Sequence, residues 1–278
     1  MKSEQKKLSE EARKLDAFIS DQGKPALAKT LLVIVIVLAA IWQMWGWAFP
    51  SGTWRYRMTV TVETPEGIKT GSVVREVTVQ RGLGLFPEMG PRVRVQGEAV
   101  VIDLGKRGTL FALMRGGLRG VDYARTLPFE VFPYEHGGTT ARGIAHYSRL
   151  KNARARLKPE QYPMFVSFRN IEDPKTVDRV FNVQFYGRRD SQGNYTGRKA
   201  QITDRLEKVF GNGTKIKEVT VEMTKDLSTR TIEKILPWLS SYYDKRLDGH
   251  RFGSIGAENL LANDLSAGDF LTGSKGSE

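Results

Sequence analysis

Nineteen residues from Leu31 to Phe49, LLVIVIVLAAIWQMWGWAF, hold one polar side chain, Gln43, and no charge. As a helix such a run reaches roughly 28 Å, close to the ~30 Å hydrocarbon core of a bilayer. It is apolar all round and lacks the polar face that a helix on a water-soluble core carries. Trp42, Trp45, Trp47 and Trp54 gather at its far end, where amphipathic rings suit the headgroup level. A cleaved signal peptide fits poorly. Thirty residues precede Leu31, and the exit WGWAFPSG offers no Ala-x-Ala site. The run predicts an uncleaved, single-pass transmembrane anchor over 30–50.

The preceding segment, 1–29, carries Lys2, Lys6, Lys7, Arg13, Lys14, Lys24 and Lys29. Retaining these cations in the cytoplasm is the simpler topology, although Arg55 and Arg57 flank the other side. The expectation is therefore an inner-membrane protein with a cytoplasmic N-terminus and a periplasmic main domain. Leu8, Ala12, Leu15, Phe18 and Ile19 form an apolar stripe on an amphipathic helix, closed by Gly23 and Pro25. It reads either as a solvated surface helix or as a docking helix for a cytoplasmic partner.

After Trp54 the pattern switches to period two. WRYRMTVTVE places Tyr56, Met58, Val60 and Val62 on one face, and TPEG reads as the turn into SVVREVTVQ. RVRVQGEAVVIDLG and TLFALMRGG add further strands, and 116–145 is rich in glycine and aromatics. HYSRLKNARARLK, 146–158, predicts a helix with Leu150, Ala153 and Leu157 as its stripe. MFVSF predicts a strand, EDPKTVDRV a short helix capped by Asp173, and FNVQFYG with YTGRKAQI a hairpin. DRLEKVFGNG predicts a helix closed by Gly211, and KIKEVTVEMT a strand. STRTIEKILPWLSSYYDKRL predicts a helix capped by Ser228 or Thr229, with Pro237 either kinking it or starting a second helix, and 251–278 a flexible tail. The fold class expected is α+β: an N-terminal single transmembrane helix, an antiparallel β-meander over roughly 54–115 (a small sandwich or open barrel) within a β-rich 54–145, and a mixed α/β segment over 146–250.

MFVSFRNIEDPKTV, FGNGTKIKEVTVEMT and IEKILPWL, with WRYRMTVTVETPEGIKTGS, resemble a group of uncharacterised proteobacterial hypothetical proteins. The resemblance covers roughly 54–247 and departs between Val180 and Phe210, where QFYGRRDSQGNYTGRK reads as an insertion. It implies a bacterial envelope setting and no particular activity.

The chain has no cysteine, which excludes thiolate chemistry, iron–sulfur clusters and cysteine zinc sites. His136, His146 and His250 fall in no metal-ligand spacing, and no nucleophile elbow, phosphate loop or dinucleotide fingerprint occurs. No metal and no cofactor are expected. Glu135 and His136, in YEHGG, are the candidate acid/base pair, with a satisfied loop histidine as the plainer reading. The net charge of +12 favours anionic partners. Between Ala141 and Lys158, Arg142, Arg149, Lys151, Arg154, Arg156 and Lys158 occur with no acid, which suits an anionic surface. The alternative is a solvated face balanced by acids elsewhere in the fold. Only Tyr147 interleaves with these cations, so nucleic acid is not an expected partner. The functional expectation is a membrane-anchored periplasmic protein that binds or scaffolds an envelope partner: protein, anionic lipid headgroup or peptidoglycan. An envelope hydrolase acting through Glu135 and His136 is the alternative.

Overall fold

The structure, a computed structural model, describes residues 10–11, 13–14, 31–39, 50–82, 90–189, 192 and 195–273. The chain divides into two compact units, Met1–Pro50 and Ser51–Glu278.

In the first unit, residues 31–39 are helical, as are 10, 11, 13 and 14. Among the described residues no helix is long and apolar enough to cross a membrane. The expected span over 30–50 is thus represented only by 31–39. Residues 40–49, with Trp42, Trp45 and Trp47, lie outside the described residues, as do Leu8, Ala12, Leu15, Phe18 and Ile19.

The second unit is α+β with antiparallel sheets. Strand β1 (Ser51–Thr64) buries Trp54, Tyr56, Met58, Val60 and Val62 on one side, because successive side chains of a strand alternate faces. The TPEG turn returns it as β2 (Gly67–Gln80) in unbroken register from Thr64↔Gly67 to Ser51↔Gln80. On its other edge β1 pairs with β10 (Lys215–Thr224), which arrives from the far end of the chain. β3 (Arg92–Glu98), β6 (Arg154–Arg156) and β11 (Leu271–Thr272) complete a six-stranded sheet ordered β11-β3-β2-β1-β10-β6. A second sheet runs β4 (Val100–Asp103), β5 (Thr109–Gly116), β7 (Pro163–Phe168), β8 (Val177–Arg189), β9 (Tyr195–Asp204). The β-rich 54–145 and the mixed 146–250 therefore interleave within the same two sheets.

Among the described residues of this unit, four short α-helices accompany the sheets: α1 (Tyr123–Val131), α2 (Ala141–Arg149), α3 (Leu206–Phe210) and α4 (Leu260–Asp264). The inner core lies between the sheets and takes Tyr56, Met58 and Val60 from one and Ile102, Leu110 and Phe165 from the other. β5 is apolar at consecutive positions, Leu110 to Met114, because both of its faces are covered. Phe111 and Leu113 point away from the inner core into a second core built with Ile232, Leu236, Leu239, Leu265 and Phe270.

The expected flexible tail is therefore corrected: through Thr272 it is an ordered layer. Asn259 caps α4 at Leu261 N–H (3.0 Å) and donates to Val177 O (3.1 Å), and Leu271 pairs with Glu98 on β3. The expected α-helix over 228–247 is two 3₁₀ segments, 232–234 and 237–242, the second starting at Pro237 as one of the two readings had it. Pro237 lacks an N–H and pushes Leu236 out of the helical region, so a continuous helix cannot form. The expected helix after Asp173 is one 3₁₀ turn, capped at Lys175 N–H by the Asp173 carboxylate (3.0 Å), and Val177 then starts β8. The β8–β9 hairpin and the Gly211 helix stop match expectation.

Candidate anionic-surface site

Helix α2 begins where the Thr140 hydroxyl accepts from Gly143 N–H (3.0 Å) and donates to His136 O (2.8 Å). Gly143 is required there, since a Cβ would meet Gly137 O at 1.8 Å. Ile144 and Tyr147 form its buried face, and Tyr147 donates to Phe132 O (2.6 Å). Burial raises the pKa of Tyr147, so the hydroxyl stays a neutral donor. The helix sits on the start of β1: a Cβ on Gly52 would lie 2.6 Å from Ile144 Cγ2. Arg142, Ala145, His146 and Arg149 occupy the opposite, outward stripe at i, i+3, i+4 and i+7.

The expected helix over 146–158 is corrected to three parts. α2 ends at Arg149, and Asn152 takes a left-handed conformation (φ 57°) that reverses the chain. Residues 153–157 then run as an edge strand: Ala153 O accepts Met223 N–H (2.8 Å), Ala155 pairs with Val221, and Leu157 N–H reaches Val219 O (2.8 Å). Ala155 and Leu157 turn inward, which leaves Arg154 and Arg156 exposed on alternate positions. Charged side chains on a short edge strand also block further strand pairing. Lys158 follows, before a 3₁₀ turn at 159–161.

The six cations thus form a strip along α2 and the β6 edge. Arg156 has Glu218 at 3.9 Å, and Arg154 stands directly across the ladder from Glu222 on β10; among the described residues Arg142, Arg149, Lys151, Arg154 and Lys158 make no ion pair.

Glu135 and His136 come together, Oε1 to Nε2 3.2 Å, but the same Nε2 also meets Arg142 Nη1 at 3.3 Å. One ring nitrogen cannot donate to the carboxylate and accept from the guanidinium at once. Their side chains are 78% and 37% exposed, so nothing around the pair excludes water from a reacting atom. His250 lies elsewhere, 3.1 Å from Asp248.

Trp54, expected at the membrane interface, is corrected to a core position. It is 5% exposed and packs on Tyr147 (centroids 5.4 Å) and Phe129 (5.8 Å). As an inward residue of β1 it belongs to the strand's alternation rather than to the tryptophan cluster before it.

Two concavities flank α2. One, about 810 Å³, lies toward β1 and β10 and is lined by Trp54, Tyr147, Lys151, Glu222, Lys225 and Asp226 among others. The other, about 450 Å³, lies over the outward stripe and is lined by Tyr134, Arg142, Ala145, His146, Arg149 and Leu150. Tyr134 and His146 stack at its floor, 4.1 Å apart and 5° from parallel. Sequence reasoning missed Tyr134, Ala145 and His146, although Arg142, His146 and Arg149 already fall at helical spacing behind the Thr140 cap. Among the described residues no three metal-ligating side chains converge.

No family model matches the chain, and no curated protein and no solved structure matches it. The resemblance to proteobacterial hypothetical proteins rests on the quoted residues alone.

Proposed function

We propose that this chain is a single-pass, membrane-anchored periplasmic protein, a non-enzymatic binding or scaffolding component of the cell envelope whose basic strip meets anionic lipid. The observation that carries this reading is the strip itself: five cations without ion pairs, beginning on a helix seated on Gly52. Phe49 and Gly52 are three residues apart, so the chain between them spans at most about 11 Å. An apolar segment ending at Phe49 in a bilayer keeps the start of β1, and the helix packed on it, near the headgroups. Each cation at an anionic surface contributes about 1 kcal/mol, screened beyond about 10 Å.

The absence of cysteine makes the topology directly testable. A single Glu172→Cys substitution places a thiol on an exposed position of the main domain. A membrane-impermeant thiol reagent is expected to label it in intact spheroplasts. Labelling only after lysis sinks the periplasmic reading.

A further inference from the structure

We propose that the recess over the outward stripe of α2 is a site for the phosphate of one anionic lipid headgroup, a deepening that rests on the membrane-anchored reading above. Arg142 and Arg149 stand two helical turns apart, about 10.5 Å along the axis. The small Ala145 between them opens the recess, and His146 and Tyr134 form its floor.

Each polar side chain of the lining can donate: the Arg142 and Arg149 guanidiniums, the Tyr134 hydroxyl and one N–H of His146. Among the described residues neither the Arg149 guanidinium, nor the ring nitrogens of His146, nor the Tyr134 hydroxyl has a hydrogen-bond partner. Arg142 is oriented through one nitrogen by His136 (3.3 Å), which leaves its other N–H groups for a ligand. His146 is fixed from two sides, stacked on Tyr134 and edge-on to Tyr147 (centroids 5.0 Å), so binding orders little that is not already ordered. The acid nearest in sequence is Glu135, 78% exposed and turned to His136. The larger cleft across α2 mixes its charges: Glu222 and Asp226 line it together with Arg55, Lys151 and Lys225, whereas the recess holds no acid. Forked guanidinium donors match a tetrahedral phosphate better than point charges do. A headgroup is the source within reach, because the helix that carries the recess packs on Gly52.

The test uses the full chain in nanodiscs of phosphatidylcholine with a minor share of phosphatidylglycerol, released for native mass spectrometry. One phosphatidylglycerol is expected to stay with the wild type. Arg142→Gln/Arg149→Gln is expected to retain it at least about tenfold less, through loss of the charge-assisted bonds. Arg142→Lys/Arg149→Lys is expected to recover part of the retention, which a variant that merely misfolds does not do. Lys175→Gln/Lys208→Gln, two exposed cations outside the strip, is expected to leave retention unchanged. Equal losses in the two glutamine double variants, or no retained lipid in the wild type, overturn the site. Displacement of the lipid by excess inorganic phosphate assigns the recess to free phosphate and overturns the lipid. Any of these results with Glu172→Cys still labelled in spheroplasts removes the recess and leaves the anchored reading standing.

Discussion

The five-stranded sheet buries both faces, yet its two faces are built differently. The inner face meets another sheet, strand against strand, with Met58, Val60, Val219 and Val221 at 0% exposure. The outer face meets a layer of 3₁₀ turns and one short helix, with Phe111, Phe168, Trp238 and Phe270 in a ring cluster at 5.5–6.2 Å. Two buried charges on the six-stranded sheet, Glu98 on β3 and Arg75 on β2, are held in opposite ways. Glu98, 1% exposed, accepts from Thr231 N–H (2.6 Å), Ile232 N–H (2.8 Å) and the Thr231 hydroxyl (3.1 Å). It fastens the outer layer to β3. Arg75, fully buried opposite Tyr56 on β1, donates through Nε to Glu98 O (3.0 Å), while Nη1 and Nη2 have no hydrogen-bond partner. Burial raises the pKa of Tyr56 and Tyr123 against the pull of the Arg75 charge, so both hydroxyls stay neutral and offer no counter-charge. A buried charge stabilises a fold when its hydrogen-bonding capacity is met, and otherwise carries its desolvation cost.

The largest expected effect breaks the outer core. Phe270→Ala removes a fully buried ring that contacts three others and is expected to cost about 3–5 kcal/mol. Hydrogen exchange read by mass spectrometry is expected to rise across 232–271 before it rises in β1. Equal and simultaneous loss of protection in both shows that the two cores are one cooperative unit.

Glu98→Ala comes next, at about 2–4 kcal/mol, because it leaves the Thr231 and Ile232 amides without an acceptor. The denaturation midpoint at an unchanged slope measures it. A loss under about 0.5 kcal/mol removes the fastening role.

The smallest effect sharpens the contrast. Arg75→Met keeps an unbranched stem and deletes the charge, so stability is expected within about 1 kcal/mol of wild type, or higher. A loss of about 3–5 kcal/mol, the signature of a broken buried pair, shows that the guanidinium is compensated and that the two charges are alike.

The inner face was legible in the sequence because alternation is a local signal. Tyr56, Met58, Val60 and Val62, the TPEG turn, the β8–β9 hairpin, the Gly211 stop and the Asp173 cap all act within a few residues. The outer face was not, since 3₁₀ turns and irregular backbone have no period to read. The basic run was legible as composition, but not its shape. Leu150, Ala153 and Leu157 fit a helical stripe, and Ala153, Ala155 and Leu157 fit a strand equally well. The β10 edge decided for the strand by offering Met223 N–H and Val219 O.

The sequence by itself determined the apolar run over 31–49, the absence of cysteine, the basic run over 142–158 and the first hairpin, each a matter of side chains and near neighbours. Tertiary structure alone decided that β10 flanks β1, that Trp54 is core, that 232–272 is a third layer, and that Tyr134 and His146 join Arg142 and Arg149. Those outcomes depend on contacts between distant segments, where burial and backbone hydrogen bonding outweigh local preference.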